Sequence, residues 1–256
     1  MRLERLELKY TIPLSLVDAI ADYASCYCSP DKYSPEGGGY YTVNSLYLDS
    51  PGFALLKNRL ERRANRVNLR IRSYGELADP PYHLEIKQKV GSVVRKYRAT
   101  VADDPGTLLE SDMLDRADVA RDDRENLELF ALLHASYGLE PKVLMTYRRR
   151  ALNSDVDDYA RVTFDTELRC AWRDRYRLTH DAGEFSACDL PEFYDPGCSV
   201  VLELKCYAAH LPCWMLDLVK QFSLRRRSFS KYLAAAAQTT TAARYAGDRR
   251  SSAVWL

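Results

Sequence analysis

Residues 66–91, RVNLRIRSYGELADPPYHLEIKQKVG, decide the fold. From Asn65 to Tyr74, Val67, Leu69 and Ile71 fall on one side of an extended chain, and Asn68, Arg70 and Arg72 fall on the other. Tyr82 to Val90 repeats the scheme, with Leu84 and Ile86 opposite His83, Glu85, Lys87 and Lys89. A period of two is the signature of a β-strand with one apolar face. Gly91 supplies a hairpin turn into a third strand, Val93 to Val101. The same alternation extends outward to Leu3–Tyr10, Tyr41–Asp49, Lys142–Leu152, Ala160–Leu168 and Cys198–Tyr207.

Helical patterns separate some of these strands. Pro13 opens an amphipathic stretch through Leu14, Val17 and Ala21, and Ser50-Pro51-Gly52 leads into a short helical region ending near Arg63. Asp103 to Tyr137 reads as helical, stopped by Gly138 and Pro141. Pro212 onward reads as a helix, and Ser228 begins a last one through the alanines to Gln238. Eight strands, mostly neighbours in sequence, predict an α+β fold with an antiparallel sheet and helices packed on its outer, apolar face. No composition shift marks a boundary, so residues 1–238 are expected to form one domain and 239–256 a loosely held tail.

Composition narrows the function classes. The chain has 256 residues, 46% hydrophobic and 29% charged, ordinary values for a folded soluble protein. Its formal net charge of +1 provides no global field for nucleic acid, so any anion site must come from local clustering. The seven cysteines lack the spacing of a zinc site or of a secreted disulfide framework. With no apolar leader and no apolar run of about 20 residues, a cytoplasmic location is expected.

The polar face of the sheet is unusual. Glu-apolar-Lys occurs three times on expected strands, as Glu7-Leu8-Lys9, Glu85-Ile86-Lys87 and Glu203-Leu204-Lys205, so each Glu and Lys share a face. Arg70 with Arg72, Arg161 with Asp165, and one of Arg148 and Arg149 join them. Such a face either meets water or, if eight strands close into a barrel, lines a lumen. An empty lumen of cations is costly, whereas a polyanion with a divalent metal ion would satisfy both the cations and the carboxylates.

These motifs carry a resemblance. Glu7-Leu8-Lys9, Leu46-Tyr47-Leu48-Asp49, Leu69-Arg70-Ile71-Arg72-Ser73-Tyr74-Gly75, Glu85-Ile86-Lys87, Tyr147-Arg148-Arg149, Arg161-Val162-Thr163-Phe164-Asp165, Glu203-Leu204-Lys205 and Phe229-Ser230-Lys231-Tyr232 occur in the order that resembles the VTC domain. That is the polyphosphate polymerase domain of the vacuolar transporter chaperone complex, in the triphosphate tunnel metalloenzyme superfamily. The likeness runs from about Leu3 to Leu233.

The resemblance implies a closed tunnel of eight antiparallel strands in which the γ-phosphate of ATP passes to phosphate or a polyphosphate chain with Mn²⁺ or Mg²⁺. Carried over by motif, Arg70, Arg72, Lys87, Arg149 and Arg161 act on the reacting phosphates, and Lys9, Lys96 and Lys231 bind substrate, with Arg95 and Arg98 competing for the place of Lys96. Ser230 joins the substrate-binding set or caps the last helix. Glu203 is the implied metal ligand, and Glu7 and Glu85 match metal positions of the wider superfamily. Lys231, outside the strands, is expected at a tunnel mouth. Neither an SPX regulatory domain nor membrane spans have a counterpart here, so moving the product across a membrane would need a separate membrane partner. A tunnel triphosphatase and a non-catalytic polyphosphate-binding module are the alternative readings.

Overall fold

The computed structural model describes residues 5–91, 93–110, 117, 119–179, 182–188 and 193–238; the expected tail 239–256 lies outside them. Eight long strands form one antiparallel sheet: β1 (Arg5–Ile12), β3 (Tyr41–Asp49), β4 (Arg66–Tyr74), β5 (Tyr82–Val90), β6 (Val93–Val101), β7 (Glu140–Ser154), β8 (Ala160–Trp172) and β10 (Val200–Tyr207). The hydrogen-bonded order is β1-β10-β8-β7-β3-β4-β5-β6, with the short β2 (Cys28–Pro30) on β7 and β9 (Ser186–Ala187) on β8. Each alternating stretch in the sequence thus became a strand. β2 and β9 have no alternation to read, because each has only three residues or fewer.

The closed barrel is not what the chain builds. Among the described residues, β1 and β6 each pair on one side only, so the sheet is curled and open. Both free edges are basic, with Arg5 on β1 and Arg95, Lys96 and Arg98 on β6, and charge along an edge discourages further backbone pairing. Side chains bridge the curl instead: Lys87 of β5 lies 3.3 Å from Glu7 of β1.

Two apolar clusters cover the convex face. Helices α1 (Val17–Ser25) and α5 (Cys213–Gln221) lay Ile20, Ala21, Trp214 and Leu218 on Val162, Leu202 and Leu204. Helix α4 (Arg121–Tyr137), which follows the short α3 (Pro105–Glu110), lays Leu127 and Phe130 on Leu69, Ile71, Leu84 and Ile86. Fully burying each such aliphatic side chain is worth roughly 1.5–3 kcal/mol. Among the described residues no helix is long and apolar enough to cross a membrane.

A third cluster lies on the concave side and corrects the expectation that all helices pack outside. Helix α6 (Lys231–Gln238) sets Tyr232, Ala234, Ala235 and Ala236 among Val43, Tyr47, Met145, Tyr147, Leu168 and Cys170. The alanines favour helix and let its backbone approach the sheet, the Cys170 Sγ donating to the Ala235 carbonyl at 3.8 Å. Helix α2 (Ala54–Leu60) borders the same cluster through Leu56.

The concave face is therefore divided, and one residue divides it. Before Glu167 the odd positions of β8 (Arg161, Thr163 and Asp165) point inward; after it the even positions Leu168 and Cys170 do so. Glu167 sits at φ 51 where the β7–β8 register shifts, a bulge that adds one residue and flips the face. It separates a charged half from the apolar half filled by α6.

Candidate functional site

The charged half is organised around two buried glutamates. Glu203 on β10 receives Lys205 Nζ at 2.6 Å, Lys231 Nζ at 3.1 Å, Lys9 Nζ at 3.3 Å and Arg149 Nη2 at 4.0 Å. Burial alone would raise its carboxyl, but the attraction of these four cations prevails and holds it well below the usual carboxylate range. Beside it, Asp165 accepts two hydrogen bonds from Arg149, at 2.6 and 2.7 Å, and pairs with Lys231 at 2.6 Å.

Glu85 on β5 is the second centre. Arg70 donates to it from Nε at 2.8 Å and pairs from Nη2 at 2.6 Å; Lys96, Arg98 and Arg72 stand at 2.9, 3.5 and 3.8 Å. Burial again opposes the charge, and Arg70 and Arg72 lead the attraction that holds Glu85 well below its ordinary value. Tyrosines fix the arginines: Arg70 Nη1 donates to Tyr47 Oη at 3.4 Å, Arg72 Nη2 to Tyr147 Oη at 3.2 Å, and Arg98 Nη2 to Tyr74 Oη at 3.2 Å. Arg72 Nε also donates to Ser45 Oγ at 3.2 Å.

Arg161 stands apart from both centres. Its Nη2 donates to the buried Asp31 and to Tyr41 Oη, and Tyr41 itself donates to Asp31 at 2.9 Å. Across the concave face, ten basic side chains (Lys9, Arg70, Arg72, Lys87, Lys96, Arg98, Arg149, Arg161, Lys205 and Lys231) meet five carboxylates (Glu7, Asp31, Glu85, Asp165 and Glu203) in these pairs. In a chain with a net charge of only +1, that local excess of cations is the clustering an anion site requires.

The family follows from the comparison of sequences. The VTC domain model matches residues 4–240. The chain belongs to the VTC domain family. Over 219 residues it is 25% identical to vacuolar transporter chaperone complex subunit 4 of Trypanosoma brucei brucei (strain 927/4 GUTat10.1), covering 74% of this chain but only 27% of that much longer protein. Among solved structures, a putative adenylate cyclase of Bacillus halodurans aligns with TM-score 0.49 and 13% identity over 89% of this chain and 94% of its own. The putative adenylyl cyclase HpAC1 of Hippeastrum, described as having a dominant triphosphatase activity, aligns with TM-score 0.43 and 14% identity over 96% of each chain. Neither structural likeness bears on the chemistry.

In this VTC domain the basic and acidic side chains implied to act on phosphate or metal lie on the concave side, in distinct settings, whereas Arg95 alternates with Lys96 and faces the other way. Lys9, Arg149 and Lys231 share Glu203; Arg70, Arg72 and Lys96 share Glu85; Lys87 joins Glu7, and Arg161 joins Asp31. Lys231 occupies no open mouth: only 7% of its side chain is exposed, and it points from the first turn of α6 into the carboxylates. Ser230 Oγ accepts from the Leu233 N–H at 3.3 Å and so caps α6. Of the paired arginines, Arg149 faces inward, while Arg148 pairs with Glu76 at 3.0 Å on the outer side.

The three glutamates implied as metal ligands do not converge. Among the described residues, no group of three or more His, Cys, Asp or Glu is placed to hold a metal ion. Glu7 and Glu203 share the Lys9 ammonium, at 3.0 and 3.3 Å, whereas Glu85 is enclosed by its own cations. Mg²⁺ characteristically takes one or two carboxylates and completes its shell with water and substrate phosphates. Glu7 and Glu203 fit that arrangement, and no all-protein cage is present among the described residues.

Several members of the site were not picked out from the sequence. Lys205 belongs to a quoted motif and shares the face of Glu203, so alternation alone could have included it. Tyr47 and Tyr147 lie two residues from the inward-facing Ser45 and Arg149 and could be placed by the same count, though nothing in a lone tyrosine says that it orients an arginine. Asp31, in the loop after β2, carries no periodic signal. Asp49, from a quoted motif, accepts from the Leu55 and Leu56 N–H groups and from Tyr232 Oη, joining α2 to α6.

Proposed function

We propose that this VTC domain is a metal-dependent polyphosphate polymerase that transfers the γ-phosphate of ATP to phosphate or a polyphosphate chain. The observation that carries the reading is the concave face itself: ten cations around five carboxylates, in a chain of this family. Phosphoryl transfer asks mainly for positioning and charge neutralisation. Arg70, Arg72 and Arg149, held by tyrosine hydroxyls or by Asp165, are pre-oriented donors for phosphate oxygens. Lys9, Lys96, Lys205 and Lys231 add point charges that neutralise the chain of anions. A phosphate oxygen of the acceptor forms the new bond to γ-phosphorus, the bond to the β-bridging oxygen breaks, and ADP carries the electron pair away. The attacking oxygen is already anionic, so no residue need serve as general base. Glu7 and Glu203 are the residues that would hold Mg²⁺ or Mn²⁺, which when bound screens the phosphates from those carboxylates.

The partners in this reading are ATP, phosphate and polyphosphate, with no role for nucleic acid. The seven cysteines all carry free thiols, which suits the reducing cytoplasm. Incubating purified protein with ATP and Mn²⁺ and sizing the product on a gel tests the proposal. Polymer is the expected result. Free phosphate alone would make the protein a triphosphatase, and unchanged ATP would leave a binding module.

A further inference from the structure

Beyond the arginines around Glu85, one end of the concave face carries aromatic rings. Tyr33 stacks on Tyr74 with centroids 4.0 Å apart and planes at 21°, and the Tyr41 and His83 rings meet Tyr74 edge-on at 6.0 and 5.5 Å. Tyr74, His83 and Thr100 each lie two positions along their strands from Arg72, Glu85 and Arg98, so this layer is about 7 Å from the arginine layer. The layers touch through the Tyr74 hydroxyl, which accepts from Arg98.

Two further features distinguish this end. Tyr33 is only half-buried, and besides Tyr74 its ring carries the ammonium of the exposed Lys32, 5.1 Å from its centroid. His83 is 4% exposed; its Nδ1 meets Thr100 Oγ1 at 3.2 Å, while its buried Nε2 has no hydrogen-bond partner. An aromatic layer one step from the arginine layer matches the two ends of a nucleoside triphosphate: a flat base and a polyanion.

We propose that the Tyr33–Tyr74–His83 layer is the nucleoside subsite, where the base of the donor stacks on Tyr33 in place of the Lys32 ammonium while its phosphates lie on Arg98, Arg72 and Arg70. The inference rests on the reading of the concave face as a triphosphate site. It adds that the site distinguishes a nucleoside triphosphate from bare tripolyphosphate.

The test compares metal-free binding of AMP-PNP and inorganic tripolyphosphate by calorimetric titration. Wild-type protein is expected to bind AMP-PNP more tightly. Tyr33→Ala is expected to weaken AMP-PNP by at least about fivefold, the low end for loss of base stacking, and to leave tripolyphosphate within twofold. Tyr33→Phe, which keeps the ring, is expected to restore AMP-PNP binding. If wild-type and Tyr33→Ala bind both compounds alike, or if Tyr33→Ala weakens both equally, the nucleoside subsite is wrong while the triphosphate site stands. If wild-type binds neither compound, both readings fall together.

Discussion

The Lys231 ammonium lies 2.6 Å from the Asp165 carboxylate, a contact that fastens the first turn of α6 to the centre of the charged half. A cation is poorly placed at a helix N-terminus, where the backbone dipole is positive. Asp165 and Glu203 overcome that disadvantage: burial would lower the lysine's pKa, yet the two carboxylates raise it above its ordinary value. Such a group contributes its stability fully below its unfolded value and loses it only as pH rises through the folded one, so the contact is complete at neutral pH.

Lys231→Met should therefore destabilise the protein by about 3–5 kcal/mol, the cost of breaking a buried pair from one side. Urea unfolding monitored by circular dichroism measures it, with the shift seen in the midpoint and not in the slope. A change below about 1 kcal/mol would show that Arg149 alone satisfies Asp165. Loss of polymer in this variant, taken alone, would not show that Lys231 touches the acceptor.

Arg70→Ala and Arg72→Ala should each weaken triphosphate binding by roughly 1.5–3 kcal/mol, the range for a charge-assisted hydrogen bond. Folding should survive, because Glu85 retains three of its four cations in either variant. Calorimetry with tripolyphosphate decides between binding and solvation: unchanged affinity in both variants would mean that the face merely meets water.

Strand alternation made most of this architecture legible. The period of two around Leu69-Arg70-Ile71-Arg72 and Leu84-Glu85-Ile86-Lys87 placed each side chain on its correct face, because a pleat leaves no other choice. What could not be read was where the period breaks. Glu167 flips the face of β8 through a left-handed backbone conformation that its own chemistry does not announce. The alanines of α6 look the same whether the helix packs outside a sheet or inside it, so its inward position and the burial of Lys231 were equally hidden. Closure has no local signal for a related reason, since whether two edges meet depends on cumulative twist and not on any local pattern.

Lys96 should give ligand binding a pH dependence. Loss of water around the ammonium where it meets Glu85 lowers its pKa to about 7; the charge of Glu85 opposes the fall, and Arg70 and Arg72 add to it. About half its side chain is open to solvent, so an arriving anion can reach it. Bound phosphate favours the ammonium form, so affinity for tripolyphosphate should fall as pH rises from 6 to 8, with proton uptake on binding at the upper end. Because the folded value lies below the unfolded one, the charged form costs stability below about pH 7, and that cost disappears as pH rises toward the unfolded value. Titrations in buffers of different ionisation enthalpy count the protons. Lys96→Met should abolish most of the uptake, and uptake unchanged in that variant would assign it elsewhere.

Glu203 provides the sharpest separation between holding a polyanion and reacting it. Its carboxylate balances Lys205, Lys231, Lys9 and Arg149, so Glu203→Gln leaves four cations with less counter-charge. Without metal, the variant should bind tripolyphosphate at least as tightly as wild type, because the carboxylate shared by those four cations no longer repels the ligand. With Mn²⁺ present, turnover should drop below detection, since Glu7 alone would remain to hold the ion beside the phosphates. The ligand-free variant should also unfold at lower urea, for the unbalanced cations repel one another, and tripolyphosphate should restore the midpoint by mass action. Activity measured across a Mn²⁺ series together with metal-free calorimetry tests both halves. Wild-type turnover with an unchanged Mn²⁺ dependence would remove Glu203 from the metal site, whereas weakened metal-free binding would show that the carboxylate serves to position Lys9, Lys205 and Lys231 for the ligand and not to repel it.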